Sequence, residues 1–268
     1  MNPDALIIDG VALASRFFLG SAGYPSPQLL TDSIRASETQ LLTVGLKRTL
    51  LGGDNGFVAQ ALATAQAQGA RLLPNTAGCR TAREAINLAQ MARELYGTHW
   101  IKLEVVGDDH TLQPDPFELL DAATALVREG FTVFPYCTDD LVLCRRLLDE
   151  AGCALLMPWG APIGSGQGLV HLAGLRTLRE RLPDALLVVD AGIGAPSHAA
   201  QAMELGFDAV LLNSAVAQAR EPVLMAAAFR DAVRAGRSAW RAGLMAPQDL
   251  AVASTPVSGH AFLLGQPR

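Results

Sequence analysis

Eight short apolar runs, each followed by an amphipathic stretch of helical length, set the strongest limit on how this chain can fold. The runs cover residues 17–19, 41–44, 71–74, 100–105, 131–135, 154–157, 186–189 and 209–212. The amphipathic stretches cover 27–36, 57–68, 82–96, 115–128, 139–151, 169–181, 197–205 and 216–235. Strands that alternate with helices pair in parallel, and runs apolar on both faces belong to a sheet covered on both sides. Eight such units in 268 residues predict an α/β chain folded as a single-domain (β/α)8 TIM barrel. An open doubly wound sheet is the alternative. Residues 1–235 are assigned to the barrel. Residues 236–268, which mix Gly, Pro and Ser with scattered apolar residues, are assigned to a C-terminal tail.

Composition narrows the classes. Half of the residues are hydrophobic, enough for a large core. The net charge of −5 argues against general nucleic-acid affinity. No run of about 18 apolar residues predicts a membrane span. The start, Met1-Asn2-Pro3-Asp4, lacks the basic and apolar parts of a secretory signal, so a cytoplasmic location is expected. Cys79, Cys137, Cys144 and Cys153 form no C-x-x-C pair and read as free thiols in a reducing compartment. The histidines do not approach them at ligand spacing, so no metal is expected.

Two of the 21 basic residues are lysines, Lys47 and Lys102. Arginine keeps its proton in a protein, whereas a buried lysine can lose it and attack a carbonyl. Lys102 lies in Trp100-Ile101-Lys102-Leu103-Glu104-Val105, which reads as a buried strand. Burial lowers an amine's pKa, so an uncharged nucleophile is expected there. The competing reading is a strand-end lysine whose head reaches water. Glu104, two residues on, shares a strand face with Lys102. Asp190 is the first polar group after the seventh run. Barrels place their chemistry at the C-terminal ends of strands, so Lys102, Glu104 and Asp190 are the candidate catalytic residues. Cation pairing or helix capping is the plainer reading of each carboxylate. Lys47 reads as a cation paired with a carboxylate or with substrate.

A second constellation suits a phosphate. Ala191-Gly192-Ile193-Gly194 follows the seventh run, and Asn213-Ser214 follows the eighth. Barrels often hold phosphate there, because glycine allows close backbone approach and helix starts present free N–H groups. Gly160-Ala161-Pro162-Ile163-Gly164-Ser165-Gly166-Gln167-Gly168, after the sixth run, has more glycine than a turn needs, and reads as a loop that wraps a ligand or moves as a lid. Tight turns are the alternative for each loop, and a flavin phosphate is a competing occupant. His198 reads as a surface or cap residue, Cys137 and Cys144 as inert, and Trp159 as a shield for the site or part of a partner surface.

Five strings then resemble bacterial thiazole synthase, the enzyme that builds the thiazole ring of thiamine. They are Leu73-Pro74-Asn75-Thr76-Ala77-Gly78-Cys79, Trp100-Ile101-Lys102-Leu103-Glu104, the stretch from Met157 to Gly168, Val188-Val189-Asp190-Ala191-Gly192-Ile193-Gly194, and the stretch from Met203 to Ser214. The resemblance implies condensation of 1-deoxy-D-xylulose 5-phosphate, dehydroglycine and sulfur. The sulfur would arrive as the C-terminal thiocarboxylate of a small ubiquitin-like sulfur carrier protein. It further implies that Lys102 forms an imine with the sugar ketone and that Glu104 and Asp190 move protons. Gly164, Ala191, Gly192, Asn213 and Ser214 would hold the sugar phosphate. The resemblance likewise implies a homo-oligomer, a homotetramer, and no motif of the chain calls for a metal or organic cofactor. The chain departs from the family in three places. Gly20-Ser21-Ala22-Gly23 lacks a lysine, Lys47-Arg48 replace two arginines, and residues 50–55 are atypical. Two other readings stay open, a class I aldolase or transaldolase-like Schiff-base lyase, and a non-catalytic barrel that binds a phosphometabolite as a scaffold.

Overall fold

A computed structural model of the chain describes residues 4–47 and 55–252. Arg48 and residues 50–54 of the atypical stretch lie outside the described residues, as do residues 253–268 of the tail. The chain opens with an antiparallel hairpin of β1 (Leu6–Ile8) and β2 (Val11–Leu13). Eight parallel strands follow: β3 (Phe17–Gly20), β4 (Leu41–Gly45), β5 (Arg71–Asn75), β6 (Trp100–Leu103), β7 (Thr132–Cys137), β8 (Leu155–Pro158), β9 (Leu186–Asp190) and β10 (Ala209–Leu212). They close in sequence order, with β10 pairing β3 through Val210 and Phe17. The outer ring is α1 (Pro27–Ser37), α2 (Asn55–Ala67), α3 (Ala82–Tyr96), α4 (Pro116–Arg128), α5 (Leu141–Asp149), α6 (Leu172–Arg181), α7 (Pro196–Glu204), α8 (Ser214–Ala217) and α9 (Pro222–Ala242). This is the (β/α)8 barrel expected from the alternation of runs.

Strand alternation builds two cores. Phe18, Leu41, Leu73, Trp100, Phe134, Met157, Val188 and Leu211 fill the barrel interior. Their neighbours, among them Leu19, Leu42, Ile101, Val133 and Val189, pack under the helices. Each large apolar side chain fully removed from water contributes about 1.5–3 kcal/mol. Helix starts are fixed locally by side-chain caps: Ser26 accepts from Leu29 N–H, Thr81 from Glu84 N–H, and Asp140 from Leu143 N–H.

Two parts differ from the reading of the runs. The hairpin plugs the N-terminal end of the barrel, where Leu6, Ile8 and Leu13 join the interior cluster. Its turn places Asp9 and Gly10 at φ 50° and 72°, a conformation that Asp-Gly favours. Asp9 also accepts from Trp100 Nε1 at 3.0 Å, tying the plug to the floor of β6. The last amphipathic stretch splits into α8 and α9, and α9 runs to Ala242, past the end assigned at residue 235. Gly236, the first residue assigned to the tail, lies inside α9 at a close crossing, since a Cβ there would collide with Ala200 on α7. Beyond it, Arg237 pairs with Asp4 at 2.7 Å. No described helix is long and apolar enough to cross a membrane.

Candidate active site

Strand parity points Trp100, Lys102 and Glu104 inward, with Trp100 in the floor and the other two rising toward the mouth. Glu104 lies just past β6, where Thr76 fixes its backbone. The Thr76 hydroxyl accepts from Glu104 N–H and donates to Glu104 O, both at 2.8 Å. Asp190 ends β9 across the barrel. Lys102 Nζ sits between the two carboxylates, 2.6 Å from Asp190 Oδ2 and 3.3 Å from Glu104 Oε1. The three residues are only 5%, 6% and 2% exposed for Lys102, Glu104 and Asp190.

This geometry corrects the expected charge state of the amine. Burial alone pulls the Lys102 pKa down, but Asp190 and Glu104 together outweigh it, and the net displacement is upward. The resting group is an ammonium held in an ion triad, not a free amine. Asp190 moves the other way from an ordinary carboxylate. Burial pushes it up, Lys102 pulls it down and Glu104 pushes it up again, leaving it at about 6. A carboxyl poised there can both take and return a proton near neutral pH.

All of the candidate site residues meet in one cavity. A volume of about 580 Å³ is lined by Lys102, Glu104, Asp190, Gly164, Ala191, Gly192, Asn213 and Ser214 together with apolar residues such as Leu211 and Met225. The glycine-rich turn after β9 is shaped by steric need. Ala191 adopts φ 72°, a left-handed conformation costly for a residue with a Cβ. A Cβ on Gly192 would collide with Ala161, and one on Gly194 with Gly166. The β8–α6 loop is stitched to this turn by Gly168 N–H to Gly192 O at 2.8 Å and Gly160 N–H to Ala191 O at 3.2 Å. Asp139 ties both ends of that loop, accepting from Trp159 Nε1 at 3.2 Å and bonding His171 Nδ1. On the far side, Asn213 donates to Ala22 O at 2.9 Å and packs against Gly20, so the lysine-free turn is part of the wall. Ser214 and Ala215 open α8, where the first N–H groups have no intrahelical acceptor.

Other residues fall outside the chemistry. Lys47 is not among the residues that line the cavity, and it donates to Gly78 O and pairs with Glu84 at 3.7 Å. His198 Nδ1 accepts from Gly194 N–H at 3.2 Å, a capping contact at the start of α7. Cys137 and Cys144 are buried with sulfurs 3.9 Å apart, and the hydrogen bond to Cys144 and burial hold the Cys137 thiol well above its ordinary pKa. Two residues escaped the sequence reading. Tyr136 places its ring 5.8 Å from Lys102 Nζ, and its buried hydroxyl has no hydrogen-bond partner. Burial and then the two carboxylates raise its pKa, so the phenol stays protonated. The fifth apolar run, residues 131–135, stops one residue short of this inward-facing position. Thr76 was visible only as part of a string, because its role is a backbone contact across strands.

A family model described as "Thiazole biosynthesis protein ThiG" matches residues 7–256. The chain is 55% identical over 260 residues to a thiazole synthase of Coxiella burnetii, covering 97% of this chain and 99% of that one. It is 60% identical over 254 residues to a thiazole synthase of Gluconobacter oxydans, with 95% and 98% covered. Among solved structures, a chain of the Amycolatopsis orientalis BexX/CysO complex superimposes with a TM-score of 0.80 at 32% identity, covering 92% of this chain and 98% of that one.

Proposed function

The chain belongs to the ThiG family of thiazole biosynthesis proteins, and on that premise we propose that it assembles the thiazole phosphate of thiamine through an imine at Lys102. The substrates are 1-deoxy-D-xylulose 5-phosphate, dehydroglycine and the thiocarboxylate of a ubiquitin-like sulfur carrier. The observation that carries this reading is a buried lysine between two carboxylates, in the same cavity as a glycine-rich anion cradle.

The sugar phosphate enters with its anionic end at Gly164, Ala191, Gly192, Asn213 and Ser214, where backbone N–H groups and the glycine turns admit oxygen atoms closely. Its ketone then lies over Lys102. The ammonium passes one proton to Asp190, and the freed amine adds to the carbonyl carbon. The carbinolamine hydroxyl leaves as water with a proton from the same carboxyl, giving a protonated imine. That cation acidifies the adjacent C–H. Glu104 takes the proton there and returns it one atom along, which moves the carbonyl down the chain. The thiocarboxylate sulfur adds to the relocated carbonyl. The carrier's acyl group passes to the carbonyl oxygen and leaves as the carrier carboxylate. Condensation with dehydroglycine, with loss of water and release of the Lys102 amine, closes the ring. A protein partner is supported by the BexX/CysO complex in which the 32%-identical chain was solved, and docking of the carrier at the mouth is part of this proposal. A homotetramer in the cytoplasm completes the proposal.

Borohydride reduction in the presence of the sugar phosphate tests it. The expected product carries the ligand mass, less water and plus two hydrogens, on the peptide containing Lys102. No adduct, or one on Lys47, rejects the assignment.

A further inference from the structure

We propose that the opposite, N-terminal face of the barrel holds a second ligand site, a basin of arginines that binds a phosphorylated small metabolite carrying two or more negative charges. A cavity of about 560 Å³ opens there between the strand starts, α1 and the second half of α9. Arg16, Arg35, Arg230, Arg234, Arg237 and Arg241 line it, with Asp4 and Glu38 as the only lining carboxylates among the described residues. Asp32 and Asp231 pair Arg35 and Arg230 from outside. Asp208 lies near Arg16 but is engaged by Arg179 at 3.2 Å. Six guanidinium groups therefore share four carboxylates, and the surplus is positive. Residues 253–268 contain no Asp or Glu that could neutralise it.

The surplus is concentrated where water is scarce. The side chains of Arg16 and Arg237 are 9% and 14% exposed. Arg16 is satisfied by Asp208 O, Asp4 O and Asp4 Oδ1. Arg237 uses Nε and Nη2 on Asp4, and its Nη1 is buried without a hydrogen-bond partner. Burial and the proximity of Arg237 both lower the Arg16 pKa, so these two cations crowd one another. Cations near the C-termini of α1 and α9 suit the helix dipoles, but that does not account for a buried donor with no acceptor. An oxyanion seated at Arg237 Nη1 would supply the acceptor and relieve the crowding. Planar guanidinium forks match phosphate oxygens in pairs. The volume exceeds that of a free phosphate and falls in the range of pockets for organic ligands. Phe17, Val233, Thr39 and Ser238 supply apolar and hydroxyl contacts for its organic part.

The probes are inorganic diphosphate and ADP, titrated calorimetrically into the full chain at constant ionic strength. Binding to the basin should weaken by about tenfold or more in the double variant Arg234→Ala/Arg241→Ala, whose side chains are more than half exposed and leave the fold intact. Ser214→Asp, which repels anions from the mouth, should leave it unchanged. Binding that disappears with Ser214→Asp and ignores the arginine pair places the anion in the mouth and overturns the proposal. So does the absence of binding by either probe at millimolar concentration.

Discussion

Replacing Asp190 with Asn tests the ion triad, because it keeps the shape and removes one charge. Lys102 Nζ lies 2.6 Å from Asp190 and 3.3 Å from Glu104, so Asp190 is the nearer of the two groups that hold the ammonium. An opposite charge at such range moves a pKa by about 1–3 units, equivalent to about 1.4–4 kcal/mol of preference for the charged form. Without it, burial acts against Glu104 alone, and the amine pKa falls by about that interval. Trapping by borohydride, measured against pH, reads the amine directly. Its midpoint should move to lower pH by about 1–3 units, although capture itself slows because Asp190 also protonates the leaving hydroxyl. Turnover should fall by about 10²–10⁴, because the proton shuttle is gone. A trapping midpoint that moves to lower pH while turnover falls is the signature of the triad. A parallel loss of capture and turnover, with the trapping midpoint unmoved, would refute the reasoning.

Three further outcomes are expected. Asp190 is raised from 3.8 to about 6 in the fold, so between those values the native state binds a proton that the unfolded chain has lost. Stability should fall as pH rises through that window, by about 3 kcal/mol from this group, and denaturant titrations of Asp190→Asn should lack that part of the slope. An unchanged slope would show that the carboxyl is not raised. Gly194→Ala forces Gly166 aside and should raise KM for the sugar phosphate by about tenfold or more, with melting temperature as the control; an unaltered KM counts against the cradle. Thr76→Val removes two 2.8 Å hydrogen bonds to the Glu104 backbone. It should cost about 1–3 kcal/mol and lower kcat more than it raises KM, whereas a loss confined to stability would deny Thr76 a positioning role.

The barrel was legible because strand and helix periodicities alternate without interruption, and because inward and outward faces of each strand are both apolar. Lys102 and Glu104 could be placed on one face by spacing alone. The charge of Lys102 could not, since it is set by Asp190 on a distant strand, and spacing along a chain carries no distance across a barrel. The plug was overlooked although Asp9-Gly10 between two apolar triplets is a hairpin signal. The tail begins later than residue 236, because α9 continues through Gly236, where the missing Cβ allows a close crossing with α7. The arginine basin gathers residues from both ends of the chain, so no local pattern announces it.

Lys47 and Lys102 are the chain's two lysines, so protein labelled at lysine Cε gives two ε-methylene resonances, and Lys47→Arg assigns them. On addition of 1-deoxy-D-xylulose 5-phosphate, the Lys102 resonance alone should move to the position of an imine while that of Lys47 stays. Product formation with the Lys102 resonance unmoved would contradict a covalent role for this nitrogen.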